Sequence, residues 1–450
     1  MSKLAINGGT PVRKEPFPNQ AGIGIEEKEA VQRVLDTGML SGYRGNAQKY
    51  RGGDEIQKLE KVWSEKFGNK HSIAINSCTS ALHVACGAIG LKPGDEVIVT
   101  PYSMTCSATA PLLWGATPVF ADVEKDCFCL DPESVKSKIT DKTKAVIAVD
   151  LFGQPHNYFK LRELALRHNL YIIEDAAQAL GAKQTFLAED IDTKKEKVYD
   201  MYTGNLGHIS CFSFTQGKHI TAGEGGMITT NDTDLALRCR LLMNHSEAII
   251  NDWYDREITH GEVFIGNKTM WGFNMRMTEI QAAIVQEQLK KLDFFIGKRQ
   301  ENACYLDAHL SKLGFIGLSP IRENCTHTFY CHAFLWDQES AEGIHRDTFI
   351  NAVKAELQPM RGRESEGVRI GNGYIKPLYR MPVFTDRLIE NKEDYFDTVI
   401  NEINPLPNVE KLWKDELFLH LYLAPPTSRA DLDDIIEAFN KVWANREELR

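Results

Sequence analysis

The chain reads as an α/β protein: a mostly parallel sheet covered by helices, followed by a smaller C-terminal α/β domain. Two observations predict this. Between residues 72 and 230, short apolar runs of strand length alternate with amphipathic, helix-length stretches, the pattern of a sheet clothed on both faces. Past residue 313 one strand-like run, 326–336, and two helix-like runs, 345–357 and 429–442, remain for a smaller unit.

Taken in order, the strand-like runs of the large unit are 73–75, 97–100, 118–121, 145–149, 171–173 and 209–214, with helix-like 81–89, 158–167 and 233–242 among them. Residues 226–230 add a strand just after a glycine cluster. From 278 to about 313 helical periodicity continues for about nine turns, which predicts one long or bent connecting helix. The chain therefore divides into 1–277, an N-terminal segment with the large domain, and 278–450, the connecting helix with the small domain. Residues 183–206 form a charged stretch that reads as a solvated loop joining two strands.

A chain of 450 residues is long enough for a large core. The net charge of −10 and the lack of a Lys/Arg block argue against a nucleic-acid surface. Apolar runs are too short to span a bilayer, and the first residues lack the apolar stretch of a secretory signal, so a cytoplasmic protein is expected. Ten cysteines without a framework suit a reducing compartment. Cys325, His327, Cys331 and His332 look faintly metal-like, but they fall in a run of β-formers, and no metal site is expected.

Three segments carry chemistry. In the stretch 211–226, a β-rich run ends at Ser213, Lys218 follows, and a glycine cluster closes the segment. A lysine held between a strand end and a tight turn suits imine formation, although a surface lysine beside a hairpin has the same local sequence. In 170–178, Asp175 stands at the carboxyl end of a buried-looking strand, where ligands collect in open parallel sheets. A carboxylate there can pair with a protonated pyridine nitrogen, or serve merely as a turn former. In 71–90 a strand, a polar turn and a helix starting near Thr79 make a phosphate seat from free amides and the hydroxyls of Thr79 and Ser80. An ordinary N-cap at either residue fits equally well.

Together, and in this order, the segments resemble the DegT/StrS family of fold-type I pyridoxal-phosphate enzymes, the sugar aminotransferases. Further matching segments are 94–101, 115–122, 151–155 and 272–283, and the resemblance runs from about Leu4 to about Leu292 and more weakly onward. It implies a seven-stranded-type sheet and pyridoxal 5'-phosphate as cofactor. Lys218 is implied as the imine-forming and proton-shuttling residue, and Asp175 as the partner of the ring nitrogen. Gln178 is implied beside the ring, and Ser213, Thr79 and Ser80 as phosphate ligands. Asn274 is implied to approach the neighbouring subunit's phosphate in a homodimer, with Arg276 as a rival and a buried loop-capping role as the plain alternative. Cys106 aligns where the family commonly stacks an aromatic ring on the cofactor, and Tyr102 is the nearest substitute.

The implied reaction moves an amino group from glutamate or glutamine to a keto-sugar, nucleotide-linked in the first reading. The segments 4–13 and 216–223 also resemble the aminocyclitol branch, so a keto-cyclitol or aminobenzoate-type precursor is the alternative acceptor. Dehydratase relatives carry a histidine in place of the lysine; here His219 is only adjacent to Lys218. A non-catalytic regulator is the remaining reading.

Overall fold

The computed structural model describes residues 3–19, 22–43, 51–189, 196–246, 264–265, 268–269, 271–385 and 405–450. Its central sheet contains β1 (His71–Ile75), β2 (Glu96–Val99), β3 (Thr117–Phe120), β4 (Thr143–Val149) and β5 (Tyr171–Asp175). Then come a hairpin, β6 (Lys183–Glu189) and β7 (Glu196–Tyr202), outside that sheet, and the last two central strands, β8 (Ile209–Ser213) and β9 (Gly226–Thr230). The seven strands lie in the order β1-β9-β8-β5-β4-β2-β3. β8, β5, β4, β2 and β3 run parallel, while β9 is antiparallel to both its neighbours. The predicted mostly parallel sheet is present, and β1, β8 and β9 are buried along their whole length, as strands covered on both faces must be.

A two-stranded pair, β10 (Phe264–Ile265) with β11 (Lys268–Thr269), precedes the long helix. The smaller sheet holds β12 (Ile316–Leu318), β13 (His332–Trp336), β14 (Ile370–Gly371) and β15 (Leu417–His420), antiparallel in the order β12-β13-β15-β14. The predicted connecting helix is continuous over Glu279–Leu310. Thr278 caps it, and the Thr278 amide in turn donates to Gln281, a reciprocal capping box. Its first half contributes Val285, Leu289 and Leu292 to the core of the large sheet, and its last turns contribute Ala303, Leu306 and Leu310 to the core of the smaller one. The Glu279 carboxylate also accepts the amides of Gly53, Glu55 and Ile56, and so closes the N-terminal end of the helix Asp54–Phe67. Leu4 and Phe17 of the N-terminal segment belong to the second core.

Three expectations change. The charged stretch 183–206 is not a solvated loop: β6 and β7 pair over seven residues, Phe186 stacks on Tyr199 at 5.7 Å, and Asp200 accepts from Lys183 and Thr185. The Thr185 amide donates to Asn324 O, and Thr326 N to Lys183 O, which docks the hairpin on the chain before β13. The strand expected over 326–336 begins only at His332. Before it, Phe329 sits at φ 49°, the Thr328 amide donates to Gly153 O, and Arg299 holds the carbonyls of Phe329 and Tyr330. Those backbone groups are satisfied by other partners and cannot form a ladder. Finally, the helix starts near Thr79 as expected, spanning Cys78–Ala88, but its N-cap is Ser77 rather than Thr79 or Ser80, the Ser77 hydroxyl accepting the Ser80 amide at 3.0 Å.

Candidate active site

Asp175 closes β5, level with Val149 of β4 and Cys211 of β8. The side chain is 3% exposed. Ser107 donates its hydroxyl to Oδ2 at 2.8 Å, the Ala177 amide donates to Oδ1 at 3.2 Å, and the Cys78 thiol reaches Oδ1 at 3.7 Å. Burial pushes this carboxyl above its ordinary range, against the opposing pull of Ser107, Ala177 and the positive charge of Lys218. The arrangement is a fixed, dry carboxylate that a facing cation would stabilise strongly.

Lys218 stands on the turn between β8 and β9. The turn is closed by Phe214 N to Gly225 O, Gln216 N to Gly223 O and Lys218 N to Thr215 O. Gly217 at φ 96° and Gly223 at φ 81° supply the left-handed backbone it needs. The ammonium lies 4.2 Å from the centroid of the Tyr330 ring and within electrostatic reach of Asp175, Cys78 and Cys106. A β8–β9 connection thus delivers an amine to the carboxyl end of β5.

The helix start at Cys78 faces the same place. Gly226 opens β9 here: a Cβ on it would come within 2.7 Å of the Ser77 carbonyl carbon and 2.9 Å of the Cys78 nitrogen. Only a residue without a side chain lets the helix N-terminus sit so close to the strand. Thr79 is exposed at this end and Ser80 half-buried, and Ser77 donates to the Ser80 hydroxyl at 3.0 Å. Ser213 is buried, and its hydroxyl accepts the Thr215 amide at 3.3 Å.

Gln178 is buried with both ends used: its carbonyl oxygen accepts the Phe152 amide and its amide donates to the Tyr374 hydroxyl, each at 3.0 Å. Asn274 is exposed rather than a buried cap, on a segment where Phe273 and Met275 donate their amides to Leu242 and Met243. Its rival Arg276 donates to Asn244 at 2.8 Å and lies over the Tyr43 ring. Cys106 lies beside Thr79, and burial pushes its thiol up to about 11. Tyr102 offers no substitute stacking face: it is fully buried, edge-on to Tyr374, with its hydroxyl accepting the Tyr374 amide. Residues 44–50 and most of 247–270 lie outside the described residues.

His219 is no stand-in for the lysine. It is 4% exposed, donates from Nε2 to Thr328 O, and is held well below its ordinary range, first by burial and then by Arg299. Of the metal-like set, the Cys325 thiol is bonded to Gln184, and His327 Nδ1 accepts the Phe329 amide.

Sequence reasoning missed the groups that hold this site. Ser107, Tyr330 and Tyr374 have no local signature, because only folding brings them to Asp175, Lys218 and Gln178. It also missed Glu174, which faces away from Asp175 and accepts the amides of Gly204, Leu206 and Gly207 and the Ser210 hydroxyl. Glu174 therefore sets where β8 begins. Behind it Asp150 lies beside Glu174 and bonds to His156, whose Nδ1 is 2.6 Å from Asp150 Oδ1.

Burial raises Asp150 to about 7 and Glu174 to about 8, and lowers His156 to about 4. The raised carboxyls contribute stability that is complete below their unfolded values, near pH 4, and is lost as pH rises through 7 to 8. The His156 contribution is complete above 6.5 and lost on acidification towards 4, so the two separate above pH 6.5. We expect unfolding stability to fall by about 1–2 kcal/mol between pH 6.5 and 9, and to fall less in Asp150→Asn. Urea unfolding of both proteins at the two pH values checks this; equal falls would contradict it.

The sequence model of the DegT/DnrJ/EryC1/StrS aminotransferase family matches residues 25–440. GDP-perosamine synthase of Caulobacter vibrioides is 38% identical over 64% of this chain and 68% of its own. The L-glutamine:2-deoxy-scyllo-inosose aminotransferase of Streptomyces kanamyceticus is 31% identical over 99% of this chain and 98% of its own. Among solved structures, NtdA of Bacillus subtilis with bound cofactor PMP superposes with a TM-score of 0.71 at 25% identity, covering 96% of this chain and 86% of that one.

Proposed function

The chain belongs to the DegT/DnrJ/EryC1/StrS aminotransferase family, and from that premise we propose that it uses pyridoxal 5'-phosphate to move an amino group from glutamate or glutamine to a nucleotide-linked keto-sugar. The observation that carries the reading is the buried, rigidly bonded Asp175 set within reach of the Lys218 amine. The residues fit the cofactor. A buried carboxylate short of a cation meets the need of a ring nitrogen, an amine on a closed turn meets that of an aldehyde, and a helix start with hydroxyls beside Gly226 meets that of a phosphate.

The bound cofactor would supply an aldehyde that accepts amino groups and a ring that draws electrons from the donor's α-carbon. Asp175 would keep the ring nitrogen protonated, with Ser107 and the Ala177 amide fixing the carboxylate. Lys218 would bind the aldehyde and, once displaced by the donor amine, move the proton at the donor α-carbon. Gln178, tied to Tyr374, would flank the ring, and Thr79, Ser80 and Ser213 would hold the phosphate. Asn274, being exposed, is free to reach the phosphate of a second copy in a homodimer.

The likeness to the scyllo-inosose enzyme over nearly the full chain supports a second acceptor class, keto-cyclitols. The test is direct. Purified protein should absorb in the near-visible range of a lysine-bound cofactor, and glutamate or glutamine should bleach that band. A panel of nucleotide keto-sugars and inosose-like ketones, read by product mass, should yield one aminated product. Wild-type protein that neither carries nor binds the cofactor would end the proposal.

A further inference from the structure

Beside Lys218, on the side of the small domain, lies a solvent-open cleft. Its walls include Lys218, Tyr330 and three arginines, Arg299, Arg363 and Arg369. Arg299 is 5% exposed, and the partners of its guanidinium are two neutral carbonyls, those of Phe329 and Tyr330. Its Nε is buried without a hydrogen-bond partner among the described residues. Arg369 and Arg363 have 16% and 20% of their side chains exposed and share a single carboxylate, Glu366, itself 40% exposed. Among the described residues, four basic side chains thus line one cleft, with the solvent-facing Glu366 paired to two of them.

Such a cluster works against folding, since half-buried like charges repel and lose hydration. Burial lowers Arg369, and the charge of Arg363 lowers it further; burial also brings Arg299 down to about 10, with Arg369 adding to the effect. An oxyanion in the cleft would remove that conflict, and planar guanidinium groups are the side chains suited to holding a carboxylate or phosphate through paired hydrogen bonds.

We infer that this cleft is an oxyanion subsite of the substrate, in which Arg369 and Arg363 grip a carboxylate or phosphate while the reacting atom reaches Lys218. The inference rests on the aminotransferase reading and deepens it. Two sources share the chemistry, the carboxylate of an amino-acid donor and the phosphate of a nucleotide-linked acceptor.

The holoenzyme, Arg369→Gln and Arg369→Lys are titrated calorimetrically with glutarate and with pyrophosphate at low salt. Half-saturating concentrations are then measured for the donor, from bleaching of the cofactor band, and for the acceptor, from product formation. Arg369→Gln should weaken one probe and its matching substrate by about 10- to 100-fold, with Arg369→Lys between it and the wild type and the limiting rate changed far less. A donor shift with glutarate assigns the carboxylate; an acceptor shift with pyrophosphate assigns the phosphate. Less than a twofold change in both probes and both substrates overturns the subsite. Should Arg369→Gln lose the wild-type melting transition, Arg363→Gln carries the same test with the same outcomes. Failure of the aminotransferase reading is scored separately, on a wild-type cofactor band that no donor bleaches.

Discussion

Replacing Lys218 by alanine is expected to lower the turnover number by about 10³-fold or more, because a positioned acid–base group alone contributes roughly 10²- to 10⁴-fold and the attachment point for the aldehyde is lost as well. The turn that carries the lysine is closed by main-chain hydrogen bonds on both sides, so the variant should keep the wild-type fold. The absorption band of the lysine-bound cofactor should vanish along with activity, while the melting temperature in the absence of cofactor stays close to wild type. Borohydride treatment should fix the cofactor to the peptide containing Lys218 in the wild type only. Retention of both activity and the band in Lys218→Ala would transfer the role to another amine. The neighbouring His219 offers no relief, being buried and bonded through Nε2 to Thr328.

Asp175→Asn is the second large effect, a loss of about 100-fold or more in kcat. The side chain sits in a buried setting where burial already disfavours its charge, and Ser107, Ala177 and Lys218 hold that charge in place. An amide fills the same volume and still accepts from Ser107, so folding should survive. It could not hold a proton on a ring nitrogen opposite, which under the proposed function is the interaction the rate depends on. The expected signature is a protein that binds the cofactor, shows an altered spectrum and turns over slowly. Near-wild-type kcat in this variant would remove Asp175 from the chemistry and leave it a structural role at the end of β5.

The strand-by-strand outline was legible because buried parallel strands are short unbroken apolar runs, and their punctuation by glycine and polar turns is local. Lys218 and Asp175 were legible for the same reason: each sits at a strand end, and its neighbours along the chain define the turn that presents it. The hairpin of 183–202 was not legible. Its strands are charged and half-exposed, and they are held by pairs such as Phe186 with Tyr199 that are thirteen residues apart. The stretch before His332 has the composition of a strand, yet its hydrogen bonds go to Gly153 and Arg299. Propensity describes a residue's own preference and cannot see a competing partner from another part of the chain.

What the sequence alone determined is the chemistry on offer: a lysine amine beyond one strand end, a carboxylate at another, and a hydroxyl-rich helix start, because each depends on residues adjacent in the chain. The tertiary structure alone decided how that chemistry is held and what it can grip. It brought Ser107 to Asp175, Tyr330 to Lys218, Tyr374 to Gln178, and three arginines into one cleft, across separations of up to nearly two hundred residues. The physical reason is that burial and charge act through space, so their strength at a site is set by which distant side chains the packing places beside it.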